Sequence, residues 1–122
     1  MIARFRGRHE FARLARDGTR FRCSALWCTW CPDPQSTSTR VAYAIGRAYG
    51  PAVRRNRLRR RARSVLNELD RVAPLPPGLL LIGVRQRPTT TTASELTFDH
   101  VRRELTELTT SIRAAGPRGC SV

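Results

Sequence analysis

Apolar residues recur along this chain with the periods of both helices and strands. The longest helical pattern lies in residues 49–73, where one apolar stripe follows the spacing i, i+4, i+7, i+8 and i+11. Gly50-Pro51 suits the start of such a helix, and the sequence PLPPG that follows would end it. We therefore predict a long amphipathic helix that packs through this stripe, which consists of Leu58, Ala62, Val65, Leu66 and Leu69.

Two further segments carry helical patterns. Residues 9–18, HEFARLARDG, predict a short helix with Phe11 on its apolar face and Gly18 at its end. Residues 94–112 predict a last helix that Ser94 caps. The inner face of that helix would consist of Phe98, Val101, Leu105, Leu108 and Ile112.

Strand patterns lie between these helices. Residues 19–30 alternate in the manner of one strand, with Phe21 and Trp27 on the same side. The proline-containing residues 31–39 are predicted to be a hairpin connection to the next strand. Residues 79–84, LLLIGV, form a continuous apolar run that is typical of a strand buried on both faces.

The strand before the long helix is predicted at residues 40–47. Val41, Tyr43 and Ile45 alternate on one face, and the residues between them are two alanines and a glycine. Either a groove or a closely packed helix fits over that small-residue face. The sequence pattern is compatible with both the groove and the packed helix.

The polar side of the long helix is rich in arginine. Residues 54–63 contain seven arginines, and no carboxylate occurs in residues 40–63. At about 100° per residue, Asn56, Arg60 and Arg63 lie opposite the apolar stripe. Like charges four residues apart cost about 0.2–0.5 kcal/mol each, a cost that a bound polyanion would relieve. Phosphate binding is therefore favoured over a solvated face or a targeting tract.

Length and net charge narrow the class of protein. The 122 residues suffice for one domain, which we assign to residues 1–115, followed by a flexible tail at 116–122. The 23 basic residues are all arginine, and the net charge is +14, so nucleic acid is the expected partner. Arginine suits RNA because its guanidinium group makes bidentate hydrogen bonds with phosphate and stacks on bases. A GC-rich genome would also favour arginine codons.

No stretch reaches the length of a membrane span, and the N-terminus lacks the apolar core of a signal peptide. We therefore expect a soluble cytoplasmic protein whose cysteines are free thiols. Cys28 and Cys31, together with Cys23 and Cys120, offer four thiolates for zinc, but a second close pair is lacking. Packing is favoured for them over a metal or redox role.

The carboxylates that a metal-dependent nuclease needs are scattered along the chain. After Asp33, no acidic residue occurs until Glu68. His9 and His100 have no metal-ligand spacing between them. We therefore predict no catalytic and no metal-binding residue in the protein itself.

The segment GRAYGPAVRRNRLRRRAR, residues 46–63, resembles the hallmark of the protein subunit of bacterial ribonuclease P. That family carries an Arg-Asn-Arg triplet after a strand, a glycine and a short link, at the start of a basic helix. Here the triplet is Arg55-Asn56-Arg57. The order of the other predicted elements is also similar, and the resemblance extends to about residue 115.

The resemblance implies a two-layer α/β sandwich similar to a ribosomal protein domain. Its order would be helix, three strands, helix, strand, helix, with a left-handed crossover around the basic helix. It also implies an accessory subunit of an RNA-based endoribonuclease that removes the 5′ leader from precursor tRNA. One protein would bind one catalytic RNA, which holds Mg²⁺ and performs the hydrolysis.

Two RNA-binding surfaces follow from the same resemblance. A cleft between the first helix and the sheet would receive the single-stranded leader, with Phe11, Tyr43 and Arg47 as contacts. The basic helix would bind the catalytic RNA. Its contacts would be Arg54, Arg55, Asn56, Arg57, Arg59, Arg60 and Arg63.

Three alanines depart from the family pattern in the leader cleft. Ala15, Ala42 and Ala48 stand where the family usually has a second aromatic residue, a strand glycine and a second basic residue. Trp27, Trp30 and Tyr43 would offer stacking surfaces instead, and core packing is at least as compatible with each. Two alternative functions stay open. One is that of a basic RNA-binding protein in another ribonucleoprotein, such as the ribosome. The other is that of a DNA-binding architectural protein.

Overall fold

A computed structural model describes residues 2–5, 7–33, 37–85 and 96–115. The strands are β1 (Ile2–Arg4), β2 (Thr19–Arg22), β3 (Leu26–Pro32), β4 (Thr39–Ala44) and β5 (Gly78–Val84). The helices are α1 (Arg8–Asp17), α2 (Ala52–Val72) and α3 (Phe98–Ala115), and a 3-10 turn (Arg47–Tyr49) joins β4 to α2. The predicted tail, residues 116–122, lies outside the described residues.

The five strands form one sheet in the order β1-β4-β5-β3-β2. The apolar strand β5 is central, parallel to β4 and antiparallel to β3. The mixed α/β prediction is confirmed. The predicted hairpin between β3 and β4 is wrong, because β5 lies between these two strands. The handedness of the β4-α2-β5 connection stays a prediction.

Residues 19–30 form two strands rather than one. The Cys23 amide donates to the Leu26 carbonyl at 2.8 Å in the turn between them, and β2 then pairs antiparallel with β3. The turn changes which face each side chain meets. Phe21 packs against the main core, whereas Trp27 lies on the opposite face, so the shared side predicted for these two residues is wrong.

The two faces of the sheet are covered unequally. α2 and α3 pack on one face and bury the main core, in which Trp30 is 1% exposed and Val65 and Leu66 are fully buried. The shorter α1 crosses the other face, where Leu14 packs against Cys31 and Leu79. Among the described residues, α1 covers only part of that face and leaves its remainder open.

The α3 helix begins at Phe98, later in the chain than predicted. The hydroxyl of Thr97 accepts a hydrogen bond from the His100 amide at 3.2 Å, as an N-cap residue does. Ser94, the predicted cap, lies outside the described residues. The predicted inner face is confirmed, because Val101, Leu105, Leu108 and Ile112 are buried and Phe98 packs against them.

A buried carboxylate ties α3 to the β2–β3 turn. The Oε1 atom of Glu104 accepts hydrogen bonds from the Ala25 and Leu26 amides, both at 2.8 Å, and Oε2 contacts Nε2 of His100. Burial by itself would raise the pKa of Glu104, but the hydrogen bonds outweigh burial and lower it. The ionised carboxylate therefore holds the turn that places Trp27 and Trp30.

Candidate nucleic-acid interface

The arginine side of α2 faces outward, as the apolar stripe predicted. Leu58, Ala62, Val65 and Leu66 are buried and Leu69 packs against them. Asn56, Arg60 and Arg63 are exposed, and Arg57 and Arg59 flank them at intermediate exposure. We call this set of five residues the α2 arginine face.

Contacts within the first turns of α2 orient several of its side chains. The Arg59 guanidinium donates to Oδ1 of Asn56 at 2.8 Å, and Arg55 Nε donates to the Gly50 carbonyl at 3.2 Å. Gly50 has a φ of 146°, a region that favours glycine, and a Cβ there would lie 2.7 Å from Arg54 Cδ. The tight turn before α2 thus brings the first arginines close to the chain that enters the helix.

One flank of α2 is bound to α3 and to the residue Leu96 that precedes it, through arginines of both helices. Arg61 donates to the Leu96 carbonyl, and Arg102 forms an ion pair of 2.9 Å with Glu68. Arg61 is therefore turned toward the α3 side of the helix. This explains why Arg61 does not belong to the α2 arginine face, although the arginines on either side of it in the sequence do.

The other flank of α2 borders a groove at the edge of the sheet. Strand β1 pairs only with residues 39–41 of β4, so the end of β4 has no neighbour in the described part of this edge. We call the resulting depression, of about 440 Å³, the edge groove. It is lined by Ile2, Ala3, Arg4, Phe5, Phe11, Val41, Ala42, Tyr43, Arg59 and Arg63.

The edge groove joins aromatic rings to arginines of α2. Phe5 and Phe11 lie with their ring centroids 4.7 Å apart, and Phe11 is 46% exposed. Burial raises the pKa of Tyr43, although the charge of Arg63 and its hydrogen bond to the hydroxyl act in the opposite direction. Tyr43 therefore remains a neutral phenol at physiological pH. It lies beside the Arg63 guanidinium, which can bind phosphate.

A second depression lies between α1 and the open face of the sheet. This sheet groove, of about 340 Å³, is lined by Phe11, Leu14, Ala15, Gly18, Arg20, Thr29 and Leu81. Phe11 lines both grooves, so they adjoin at this ring. An ion pair of 2.6 Å between Glu10 and Arg40 anchors α1 beside them.

The structure brings two of the three predicted leader contacts together. Phe11 and Tyr43 line the edge groove, whereas Arg47 lies exposed in the 3-10 turn and does not line either groove. Of the predicted catalytic-RNA contacts, Arg59 and Arg63 also line the edge groove. Phe5 was not recognised from the sequence, because the three-residue strand that precedes it is too short to show a period.

Several carboxylates of the described residues are used within the fold. Asp33 pairs with Arg13, Glu68 pairs with Arg102, and Glu107 accepts from the Cys23 thiol at 3.0 Å. No three His, Cys, Asp or Glu side chains in the described ranges are grouped so that they could hold a metal ion.

The cysteines within the described part of the chain are free thiols. Cys28 and Cys31 are buried on opposite faces of the sheet, and Cys120 lies outside the described residues. Burial raises the pKa of Cys28 to about 12, and burial together with Glu107 raises that of Cys23 to about 11. Both thiols are therefore protonated at neutral pH.

Among the described residues, no helix is both long and apolar enough to cross a bilayer.

Comparison with known proteins gives one consistent result. The family model described as Ribonuclease P matches residues 2–113. The ribonuclease P protein component of Micrococcus luteus is 34% identical over 103 residues, which cover 78% of this chain and 76% of that protein. The component of Beutenbergia cavernae is 39% identical over 91 residues, which cover 75% and 74%.

Solved structures show the same fold at lower identity. The RNase P protein of Staphylococcus aureus matches with a TM-score of 0.75 at 16% identity and covers 90% of this chain and 94% of that one. The RNase P protein of Thermotoga maritima matches with a TM-score of 0.72 at 22% identity and covers 88% and 96%. At these identities the likeness concerns the fold alone.

Proposed function

Since the chain belongs to the ribonuclease P protein family, we propose that it is the subunit with which a catalytic RNA removes the 5′ leader from precursor tRNA. The observation that carries this proposal is the junction of the α2 arginine face with an aromatic groove. Arg59 and Arg63 belong to both. A single protein surface can therefore meet a folded RNA and a single strand that emerges beside it.

The α2 arginine face is proposed to bind the catalytic RNA. Exposed guanidinium groups make charge-assisted, bidentate contacts with phosphate, and the Asn56 amide can donate to a base or a sugar. Arg54 and Arg55 lie in the first turn of α2, where the helix dipole also favours phosphate. The net charge of +14 offsets the repulsion between the two RNA molecules.

The edge groove and the sheet groove are proposed to hold the single-stranded leader. Phe11 is half exposed at their junction, and an aromatic face accepts any base. Tyr43 adds a phenol at the wall of the edge groove. Arg47, exposed in the 3-10 turn after β4, would reach leader phosphate from outside the groove.

Hydrolysis is assigned to the RNA in this proposal. The catalytic RNA would hold Mg²⁺, which activates water and stabilises the leaving oxygen. The protein would contribute binding and orientation, as one copy for each RNA in the cytoplasm. The pairing of Asp33 and Glu68 with arginines supports this division, because these carboxylates serve the fold.

Reconstitution with the cognate catalytic RNA tests the proposal. The protein alone should leave precursor tRNA intact, and adding it to the RNA should allow cleavage at a lower Mg²⁺ concentration than the RNA needs alone. The readout is release of the 5′ leader at the mature end of the tRNA. Cleavage by RNA-free protein at that position would contradict the proposal, as would a protein that leaves the Mg²⁺ requirement unchanged.

A further inference from the structure

A third depression lies at the end of the sheet where β4 and β5 finish. This end pocket has a volume of about 660 Å³. It is lined by Arg20, Arg22, Trp27, Tyr43, Ala44, Ile45, Gly46, Val84 and Arg85. Three of these residues are arginines and none is acidic, so the pocket favours an anionic ligand.

Trp27 is held in a defined position within this pocket. Its ring lies directly over Gly83, where a Cβ atom would come within 2.1 Å of the ring atom Cζ2. The guanidinium carbon of Arg20 lies 4.4 Å from the ring centroid, within the range of a cation–π contact. Trp27 is only half-buried, whereas Trp30 is 1% exposed in the core. The glycine and the arginine thus fix a large aromatic ring that contributes little to the main core.

The end pocket continues the sheet groove. Arg20 lines both depressions. Thr29, which lines the sheet groove, lies two residues from Trp27 on the same face of β3, a distance of about 7 Å along the strand. An extended chain that passes Phe11 can therefore also reach the layer formed by Arg20 and Trp27.

We propose that Arg20 and Trp27 form a second stacking site for the single-stranded leader, separate from Phe11. Arginine and tryptophan planes both stack on nucleic-acid bases, and Arg22 and Arg85 supply cations for the adjoining phosphates. The inference rests on the proposed function and deepens it, because it assigns a further leader nucleotide to a particular pair of side chains.

The test uses the reconstituted holoenzyme and precursor tRNA with a leader of about eight nucleotides. One base at a time is replaced by an abasic site, and the affinity is measured for each substrate. We expect Arg20→Ala to weaken binding of the intact leader about tenfold, equivalent to about 1.4 kcal/mol. At one abasic position the same substitution should cost nothing further, because its stacking partner is already absent. That position should differ from the one that depends on Phe11.

Arg102→Ala is the matched control. Its guanidinium carbon lies 5.0 Å from the Phe98 ring centroid on α3, so the variant also removes one charge and one cation–π contact. If both variants bind the intact leader equally, the second stacking site is overturned, while a Phe11-dependent position still supports the proposed function. A loss in Arg20→Ala that persists at every abasic position would indicate phosphate contact and would also overturn stacking. A wild-type holoenzyme indifferent to every abasic site would overturn both proposals.

Tryptophan emission gives an independent measurement. RNA contains no tryptophan, so the two tryptophans of this chain are the only ones in the holoenzyme. We expect the emission to change when precursor tRNA binds and to stay constant with mature tRNA. Trp27→Phe should abolish the change, because buried Trp30 alone remains. A change that survives this substitution would overturn the assignment of Trp27.

Discussion

Individual side chains on α2 should separate the proposed RNA binding from folding. Asn56 and Arg60 are exposed on the side opposite the apolar stripe. Asn56→Ala or Arg60→Ala should therefore leave the free energy of unfolding nearly unchanged. Each should weaken affinity for the catalytic RNA by about 1–3 kcal/mol if the contact is desolvated and charge-assisted. Denaturant unfolding and titration of the labelled RNA at constant salt measure the two effects.

Asn67→Ala is the control for this prediction. Asn67 is also exposed on the outward side of α2, but it lies three turns from Asn56. Its replacement should change neither stability nor RNA affinity appreciably. An equal loss of affinity in Asn67→Ala and Asn56→Ala would show that the contact is not concentrated at the triplet.

Glu104 is a buried residue through which a change of pH should alter stability. Its pKa is lowered in the folded protein, so its ionised form stabilises the fold above the unfolded pKa, near 4.3. That stabilisation should be lost as the pH falls through the folded pKa. Glu104→Ala, which leaves the Ala25 and Leu26 amides without their acceptor, should cost about 3 kcal/mol near neutral pH.

Glu104→Gln tests the charge separately from the shape. We expect this variant to be destabilised less than Glu104→Ala and to lose less stability on acidification than the wild type. Urea unfolding at several pH values between about 3 and 7 would measure both effects. Identical pH dependence in the wild type and Glu104→Gln would contradict the assigned role of the carboxylate.

At the scale of whole elements, the apolar face of α2 carries the stability. Leu66 is fully buried between this helix and the sheet. Leu66→Ala should destabilise the protein by about 2–5 kcal/mol through lost burial and the cavity that remains. Leu69→Ala should cost less, because Leu69 is only partly buried. Thermal or denaturant unfolding compares the two, and the reverse order would mean that α2 packs in another orientation.

Helices could be predicted from this sequence more fully than the sheet. The orientation of α2 depends on residues within one segment, whose 3.6-residue period determines which side is buried. The pairing of β3 with β5 depends instead on residues about fifty positions away, which no local pattern records. The face of the sheet on which Trp27 lies could not be predicted from the sequence for a related reason. The Cys23–Leu26 turn interrupts an alternation that looks continuous in the sequence.

At the scale of the whole molecule, the two surfaces proposed to bind RNA adjoin, because Arg59 and Arg63 belong to both. The α2 arginine face could be predicted from the triplet and the apolar stripe. The edge groove could not, because it is assembled from β1, α1, β4 and α2. Residues such as Phe5 and Arg63 approach each other only when the sheet has formed. Their proximity is a property of strand order rather than of any segment.

Phe11→Ala tests whether the leader is held at the junction of the grooves. Stacking on one aromatic ring is worth about 1–3 kcal/mol per base, so the wild-type holoenzyme should bind precursor tRNA more tightly as the leader lengthens from one nucleotide. Phe11→Ala should reduce this dependence and leave binding of mature tRNA and of the catalytic RNA unchanged. Ala15 lines the sheet groove but offers no second aromatic ring. The dependence on leader length that remains in Phe11→Ala should therefore come from the other walls of the grooves.

Val72→Ala provides the matched control, since Val72 is an apolar side chain that is 83% exposed at the end of α2. The measurement is holoenzyme affinity for precursor tRNA against leader length for the wild type and both variants. Val72→Ala should follow the wild-type curve. If Phe11→Ala follows it as well, the ring of Phe11 serves only to pack α1 against Phe5, and the leader must pass elsewhere on the protein.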